Sequence, residues 1–118
     1  MNNLNLGKKG EEIAAKFLKA KGFKIIETNF RIRGGEIDII AVEDQTLVYV
    51  EVKTRTTNQF GSPEEAVTPN KIKFLKRSAK FYRNARKNLP DLERIDVISI
   101  DFSKSKTALV KHIKNITF

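Results

Sequence analysis

The chain has 118 residues, of which 40% are apolar and 31% charged, and its 23 Lys and Arg against 14 Asp and Glu give a net charge of +9. This length predicts a single domain over residues 1–118 with one ordinary core. Because there is no cysteine and only one histidine, a disulfide framework and a cysteine zinc site are excluded, and any metal would need carboxylate ligands. No apolar run approaches the roughly 18 residues of a membrane span, so we expect a cytoplasmic protein.

Apolar periodicity predicts elements in the order αβββαββ. We expect, in chain order, a helix over about residues 7–21, strands near 23–30, 36–43 and 46–54, a second helix, and strands near 94–101 and 107–118. This order predicts an α/β fold in which a mixed sheet is flanked by helices.

Capping residues set the limits of the second helix. Thr68 and Pro69 are typical of an N-cap and a first-turn proline, while Asn88 and Pro90 are typical of a helix end. In the preceding loop, residues 62–65 (SPEE) predict a short helical turn with the same capping pattern.

The positive charge concentrates in residues 71–87, KIKFLKRSAKFYRNARK, which hold eight basic residues and no acid. At about 100° per residue, one helical face is apolar and carries Phe74, Leu75, Ala79, Phe81, Tyr82, Ala85 and Leu89. The opposite face carries Lys73, Lys76, Arg77, Lys80, Arg83 and Lys87. Like charges one turn apart repel, and a polyanion relieves that repulsion and releases counterions. We therefore favour a nucleic acid as the partner over a merely solvated face, although an anionic membrane surface would attract the same pattern.

Lys71 is a special case, because it falls within the apolar arc of this helix, where among the other basic residues only Arg86 approaches it. It either points towards the sheet and its polar residues, or it only begins the helix, in a first turn where nothing yet packs against the apolar arc.

Residues 34–55, GGEIDIIAVEDQTLVYVEVKTR, read as two strands whose side chains alternate between the faces of a sheet. On the later strand one face carries Leu47, Tyr49, Glu51, Lys53 and Arg55, and the other is a core face of Val48, Val50 and Val52. A hairpin centred on residues 44–45 pairs residues whose numbers sum to 89, so that Asp38 faces Glu51. Glu36 then faces Lys53.

Two interpretations of these charges are open. Directly opposed carboxylates repel, and a divalent cation such as Mg²⁺ or Mn²⁺ removes that penalty, taking one or two carboxylates together with waters and phosphate oxygens. Lys53 would then point into the same pocket as Asp38 and Glu51. Alternatively, Glu36 and Lys53 form an exposed ion pair, and the other two acids are simply solvated.

The first helix adds a third acid. Its buried arc contains Leu6, Ile13, Ala14, Phe17 and Leu18. Glu11 lies at the edge of this arc and either reaches over the sheet or acts as a partner of the helix dipole. Glu12 lies well away from the arc and should be a solvent residue.

Five blocks of the sequence, in order, resemble the YraN-type family of small bacterial proteins: LGKKGEEIAAKFL, RIRGGEIDIIA, LVYVEVKTR, FGSPEEAVTPNK and RIDVISID. The resemblance covers most of the chain, from about residue 7 to residue 101. That family is usually grouped with the PD-(D/E)xK nucleases, near the archaeal Holliday-junction resolvases.

The resemblance implies a restriction-endonuclease-like core and assigns roles by position. Asp38 matches the aspartate of the motif, Glu51 its glutamate and Lys53 its lysine. Glu11 matches the acidic residue of the preceding helix. The proline of the motif is absent, because Ile37 precedes Asp38.

We therefore predict a metal-dependent DNA endonuclease. Asp38, Glu51 and the Val52 carbonyl would hold Mg²⁺ or Mn²⁺, which polarises the phosphate and activates water. Lys53 would orient or deprotonate that water and stabilise the developing charge. Glu11 would ligate a second metal or hold a further water.

Contacts to nucleic acid are expected from basic residues beside this site and along the second helix: Arg31, Arg33, Arg55, Lys71, Lys73, Lys76, Arg77, Lys80, Arg83 and Lys87. Residues 34–35 (Gly-Gly) offer a flexible approach to the backbone or are a plain β-turn.

Two competing functions are compatible with the same residues. One is a non-catalytic nucleic-acid-binding module on a nuclease fold, and the other is an RNA- or ribosome-associated protein, which a strong preference for RNA would favour. We expect DNA as the partner, with branched DNA as one candidate, and no membrane. A homodimer would suit the cleavage of a junction.

Overall fold

The computed structural model describes residues 3–56, 67–105 and 107–116. Its elements are α1 (Asn3–Ala20), β1 (Lys24–Ile32), β2 (Gly35–Glu43), β3 (Thr46–Arg55), α2 (Pro69–Ala85), β4 (Leu92–Asp101) and β5 (Leu109–Ile113). The predicted order αβββαββ is therefore confirmed. The helical turn predicted at 62–65 lies outside the described residues.

The five strands form one mixed sheet with the spatial order β1-β2-β3-β4-β5. β3 and β4 are parallel, and the other neighbouring strands are antiparallel. Parallel neighbours need a crossover connection, and α2 lies within the connection between β3 and β4. The predicted α/β class, a mixed sheet with helices, is confirmed at this level.

The hairpin of β2 and β3 has the predicted register. Its pairs run from Ile39↔Val50 to Glu43↔Thr46, and their numbers sum to 89. At the turn, Asp44 adopts a left-handed backbone with φ of 53°, a conformation that Asp tolerates better than most residues. The β2–β3 ladder does not continue beyond Ile39 and Val50, so the hairpin is open at the end that carries Asp38 and Glu51.

Both faces of the sheet are buried. The cluster on the α1 side contains Ala14, Leu18, Phe23, Ile39, Ala41, Val48, Val50, Ile98 and Ile100. The cluster on the α2 side contains Ile37, Ile40, Leu47, Tyr49, Leu75, Ala79, Tyr82 and Ile95. The alternation pattern predicts a core on the valine face of β3, and the structure confirms that face. Leu47 and Tyr49 are buried as well, because α2 covers the opposite face.

The start of α2 is as predicted, and its end is not. The Thr68 hydroxyl accepts a hydrogen bond of 3.2 Å from the Lys71 amide, and Pro69 is the first helical residue. The helix ends at Ala85, three residues before Asn88. The next residue, Arg86, has an extended backbone, and its guanidinium lies 2.9 Å from a carboxylate oxygen of Glu27.

The prediction of which residues form the buried face of α2 is partly wrong. Leu75, Ala79 and Tyr82 are buried as expected, but Phe74 is 47% exposed and Phe81 is 52% exposed. Ser78 is buried in the middle of the contact instead. The buried stripe therefore follows the spacing i, i+3, i+4 and i+7, which is narrower than the arc that the helical wheel assumed.

The last strand is shorter than predicted. β5 ends at Ile113, and the backbone amide of Asn115 donates to the carboxylate of Asp96 at 2.9 Å. Asn115 has a left-handed backbone with φ of 55°, which interrupts the regular ladder, although the Ile116 amide still donates to the Ile95 carbonyl of β4 at 2.9 Å. In the described part of the chain, no helix is both long enough and apolar enough to cross a membrane.

Candidate active site

Asp38 and Glu51 lie at the open end of the β2–β3 hairpin. Asp38 is only 8% exposed and Glu51 only 3%. A carboxylate oxygen of Asp38 accepts a hydrogen bond of 2.8 Å from the Val52 amide, which holds the aspartate across the gap between the two strands. The interpretation of Asp38 and Glu51 as solvated surface acids is therefore wrong.

Two lysines converge on one oxygen of Glu51. Lys71 Nζ lies 3.2 Å and Lys53 Nζ lies 3.7 Å from Glu51 Oε1. Lys71 comes from the first turn of α2, so it points towards the sheet, the first of the two directions open to it from the sequence. The second oxygen, Glu51 Oε2, is buried and accepts no hydrogen bond from any residue that the structure describes.

Glu36 does not pair with Lys53, and this alternative from the sequence is also wrong. Its carboxylate lies 3.4 Å from Arg31 Nε on the neighbouring strand β1, in an exposed ion pair. Arg31 and Glu36 are directly opposed in the β1–β2 ladder. Since the β2–β3 ladder ends at Ile39, Glu36 finds its cross-strand partner on β1 rather than on β3.

Glu11 comes to the same site from α1. It is partly buried and close enough to Asp38 for that carboxyl group to raise its pKa, whereas Glu12 is exposed. The approach of α1 to β3 depends on Gly10, which is buried, because a Cβ there would overlap Thr54 Oγ1. The helical wheel assigns no role to Gly10, although a glycine inside a helix costs stability and usually has a packing reason.

Burial and mutual repulsion act on the three acids of the site. Burial raises the pKa of Glu51 above its ordinary value, and the neighbouring Asp38 raises it further against the opposing effect of the two lysines. Burial also raises the pKa of Asp38, although the hydrogen bond from the Val52 amide opposes the shift. The pKa of Glu11 is raised by burial and by the nearby Asp38. Holding these carboxylates ionised together therefore costs free energy that a bound cation would offset.

These side chains share one open cavity of about 380 Å³, which Glu11, Asp38, Glu51, Val52, Lys53 and Lys71 all line. Among residues 3–56, 67–105 and 107–116, no three acidic or histidine side chains form a group that could hold a metal ion by themselves. A cation here would depend on the Asp38–Glu51 pair and the main chain, completed by water or phosphate oxygens, which is the usual way that proteins hold Mg²⁺.

The basic residues predicted to contact nucleic acid differ in their exposure and in whether an acid of the protein already pairs with them. Exposed residues that form no ion pair with any described residue are Lys73, Arg77, Lys80 and Lys87 on or beside α2, and Arg33 in the β1–β2 turn. Arg83, in contrast, lies 2.7 Å from Glu93 and also donates to the Pro90 carbonyl. Arg55 is directly opposed to Asp101 in the β3–β4 ladder, and Lys76 is exposed.

The α2 segment has no acid in its own sequence, but β1 and β4 supply two. Glu93 pairs with Arg83 and Glu27 pairs with Arg86. Repulsion along the helix is therefore relieved in part by the protein itself.

The two glycines at the start of β2 serve different purposes. Gly34 has φ of 85° in the turn between β1 and β2, which is the role of a plain turn glycine. Gly35 begins β2, and a Cβ on it would overlap the Ser78 hydroxyl of α2. The second glycine therefore lets α2 lie directly against the edge of the site.

Fold and site together define an α/β protein with a mixed five-stranded sheet and an acidic cleft at the open end of a hairpin. The chain belongs to the family described as Uncharacterised protein family UPF0102, whose profile matches residues 10–100. The resemblance to the YraN-type family, which is the same family, is thereby confirmed.

Relatives of similar length support this assignment. The chain is 46% identical to the UPF0102 protein of Syntrophomonas wolfei over 114 residues, which cover 96% of this chain and 97% of the relative. It is 44% identical to the UPF0102 protein of Geobacter metallireducens, over 98% of this chain and 93% of the relative. For the UPF0102 protein of Caldicellulosiruptor saccharolyticus the identity is 43%, over 98% of both chains.

Proposed function

We propose that this chain is a metal-dependent endonuclease that hydrolyses phosphodiester bonds in DNA and has a restriction-endonuclease-like core. The observation that carries the proposal is the buried oxygen Glu51 Oε2, which lacks a hydrogen-bond partner among the described residues and lies beside a second buried carboxylate, Asp38. A buried acceptor without a donor is costly. A divalent cation between the two carboxylates would satisfy it.

The residues present fit Mg²⁺ or Mn²⁺. Asp38 and Glu51 provide carboxylate oxygens, the Val52 carbonyl adds a neutral oxygen, and the cleft is open to water and to a phosphate. Such an ion would polarise the phosphate and make water a better nucleophile. Glu11, beside Asp38, would ligate a second ion or hold a proton or a water at the edge of the cleft.

The two lysines supply positive charge where the reaction develops negative charge. Lys53 is partly exposed and its Nζ lies 3.7 Å from Glu51 Oε1, so it can turn to a water in the cleft and orient it as the ammonium, or deprotonate it as the neutral amine. Lys71 Nζ lies closer to the same oxygen, at 3.2 Å, and would hold a phosphate oxygen above the carboxylates. Fixed charges in a partly dry site stabilise a transition state more strongly than they would in water.

The proposed DNA path continues along α2. Lys71 stands in the first turn of this helix, and Lys73, Arg77 and Lys80 follow it as exposed cations. Cations spaced along one helix can contact successive phosphates without reading the bases. Because these three cations lie on the face of α2 opposite to Lys71, they would hold a part of the DNA that lies outside the cleft.

The test of the proposed activity is incubation of the purified protein with branched, nicked, single-stranded and duplex DNA. We expect cleavage of at least one substrate with Mg²⁺ or Mn²⁺ and none with EDTA. A protein that binds these DNAs and cuts none of them with either metal would contradict the proposal and favour a non-catalytic nucleic-acid-binding module.

Lys53→Ala separates chemistry from binding. We expect it to reduce the cleavage rate by roughly 10²- to 10⁴-fold, the usual contribution of a positioned acid or base. DNA affinity and melting temperature should change little, because the exposed cations of α2 remain. Lys16→Ala, which removes an exposed lysine from α1, is the matched control and should leave all three measurements unchanged.

Calorimetry with Mn²⁺ tests the cation directly. Asp38→Asn should weaken Mn²⁺ binding, because it removes a carboxylate of the pair. Glu12→Gln, which neutralises an exposed acid on the same helix as Glu11, should not. Equal Mn²⁺ affinities for the two variants would mean that the pair does not hold the ion.

A further inference from the structure

A second cavity adjoins the acidic cleft. It lies between the β1–β2 turn and the N-terminal half of α2 and has a volume of about 400 Å³. Its walls share Glu36 and Lys71 with the cleft. This volume falls within the range of about 300–1,000 Å³ that is typical of small-molecule sites. A chemical group attached to a phosphate in the cleft can therefore reach this cavity.

The lining of this cavity combines one aromatic ring with apolar side chains and bare backbone. Phe74 contributes the ring, and Ile32 and Leu75 contribute aliphatic surface. Gly34 and Gly35 add main-chain wall to the cavity, and the space beside Gly35 is filled by the Ser78 hydroxyl of α2.

The rim of the cavity is cationic on two sides. Arg31 lies on β1 and Lys71 on α2, and both line the cavity. Each is held by an acid of the protein, Arg31 by Glu36 and Lys71 by Glu51. The rim therefore carries a cation on each side of the apolar interior, and a phosphate there would compete with Glu36 or Glu51 for it.

Phe74 is half-exposed and lines the cavity. It is 47% exposed and forms no ring stacking with another aromatic residue of the described chain. A half-exposed aromatic ring beside cations is the arrangement on which single-stranded nucleic acids stack their bases. A base within a duplex cannot reach such a wall unless it leaves its stack.

From this geometry we infer that the cavity holds one unstacked nucleobase, adjacent to the phosphate bound in the acidic cleft. The chain would therefore select nucleic acid that has an unpaired nucleotide beside the bond to be cut, and would disfavour a fully paired duplex. This inference rests on the proposed function for the position of the strand, and it adds the class of substrate.

Phe81 provides a matched control on the same helix. It lies seven residues after Phe74, about 10 Å further along the helix axis, and is similarly exposed at 52%. It does not line the cavity. Replacing either phenylalanine with alanine removes a half-exposed phenyl group from the protein, but only the ring of Phe74 would stack on the base.

The experiment measures affinity in Mg²⁺ on a Lys53→Ala background, which keeps the DNA intact. Three fluorescent duplexes share one sequence: the first is fully paired, the second carries one bulged thymine, and the third carries an abasic site at the bulge. The second and third duplexes have equal numbers of phosphates, so the ratio of their dissociation constants reports the base alone.

We expect the bulged thymine to bind roughly 5- to 100-fold more tightly than the bulged abasic site, as base stacking on an aromatic residue predicts. Phe74→Ala should reduce this ratio to about one, Phe74→Trp should restore it, and Phe81→Ala should leave it unchanged. A ratio of one in the parent protein, or a Phe74→Ala ratio equal to that of Phe81→Ala, would overturn the inference.

The two proposals fail separately. A protein that shows the base-dependent ratio but never cleaves DNA would retain the nucleobase site and lose the nuclease proposal. A protein that cleaves DNA with equal affinity for the two bulged duplexes would retain the nuclease proposal and lose the nucleobase site.

Discussion

Gly7 and Gly10 stand three residues apart on α1, and only one of them touches another element. A Cβ at Gly10 would overlap Thr54 Oγ1 and crowd two more atoms of that side chain on β3, whereas a Cβ at Gly7 would meet nothing within 4 Å. Both positions lie in the helical span Asn3–Ala20. The same substitution therefore tests helix propensity at one site and close packing at the other.

We expect Gly7→Ala and Gly10→Ala to change stability in opposite directions. Gly7→Ala should stabilise the fold by about 0.5–1 kcal/mol, since alanine favours the helix. Gly10→Ala should destabilise it by about 1–3 kcal/mol, the usual cost of overpacking, because α1 must move away from β3. Denaturant unfolding measures both values. A stabilising Gly10→Ala would show that α1 shifts without cost.

The ionisation of the two acids Asp38 and Glu51 also depends on their position in the fold. Asp38 and Glu51 belong to a sequence of ordinary strand character, yet burial raises the pKa of both groups, and the nearby Asp38 raises the pKa of Glu51 further. A solvent-exposed acid such as Glu12 has the same charge and none of this environment. Chemistry at this site therefore depends on burial beside a second carboxylate, and not on the presence of acids in the sequence.

At the scale of elements, α2 combines a packing face with an exposed cationic face. Leu75, Ala79 and Tyr82 hold it against the sheet. Arg83 also belongs to this attachment through its 2.7 Å ion pair with Glu93. A test of nucleic-acid binding should therefore spare Arg83 and use cations that form no ion pair with the described residues.

Charge reversal of Lys73, Arg77 and Lys80 to Glu should weaken DNA binding for every sequence tested, because phosphates carry no base information. The slope of log affinity against log salt should become shallower by roughly 0.9 for each phosphate of B-DNA that the variant no longer neutralises. Anisotropy titrations over a series of salt concentrations measure this slope.

The control for this prediction carries the same change of charge elsewhere. Lys16, Lys19 and Lys24 are exposed near the C-terminal end of α1 and the start of β1. Their reversal to Glu should leave the salt slope close to that of the unmodified protein. If both triple variants lowered the slope equally, net charge rather than the face of α2 would govern binding.

At the scale of the whole molecule, a buried ionic network joins the sheet to the C-terminal segment. Asp96 on β4 is fully buried and lies 2.8 Å from His112 Nε2 on β5 and 2.9 Å from Arg94 Nε. The guanidinium group of Arg94 also pairs with Glu43 on β2, with 2.7 Å between Arg94 Nη2 and Glu43 Oε1. Burial alone would raise the pKa of Asp96, but the hydrogen bonds from His112, Arg94 and the Asn115 amide hold it below its usual range.

This lowered pKa predicts how stability depends on pH. A carboxylate with a lowered folded-state pKa stabilises the fold above its ordinary range, about pH 4, and this contribution is lost as the pH falls through the folded-state pKa. Asp96→Asn should therefore cost about 3–5 kcal/mol near neutral pH, the usual penalty for breaking a buried pair. The difference from the unmodified protein should shrink in acid.

Urea unfolding from about pH 6 down to about pH 2 follows this difference through the titration of the carboxyl group. Asp91→Asn, at an exposed position before β4, is the control and should have a small effect at every pH. A penalty for Asp96→Asn that stayed constant across the acid range would show that the charge of Asp96 does not contribute.

Local sequence pattern was sufficient to predict the β2–β3 hairpin and the proximity of Asp38 and Glu51. The alternation of residues 34–55 and a short turn at residues 44–45 predict the register that the structure shows, because a slip of one residue would move every side chain of a strand to the opposite face of the sheet. That register brings Asp38 beside Glu51. The N-cap at Thr68 is local in the same sense, since its hydrogen bond joins residues three apart.

Other features of the site depend on interactions between distant parts of the chain. The place where α2 crosses the sheet follows from the parallel pairing of β3 with β4, and it decides that Lys71 reaches Glu51, that Arg83 pairs with Glu93 and that Phe74 stays exposed. The sequence by itself determined the order of the elements, the hairpin register and the pair of acids, because short-range periodicity and turn geometry specify them. Only the tertiary structure decided which cations and rings surround that pair, because helix placement balances packing on both faces of the sheet and no local spacing encodes it.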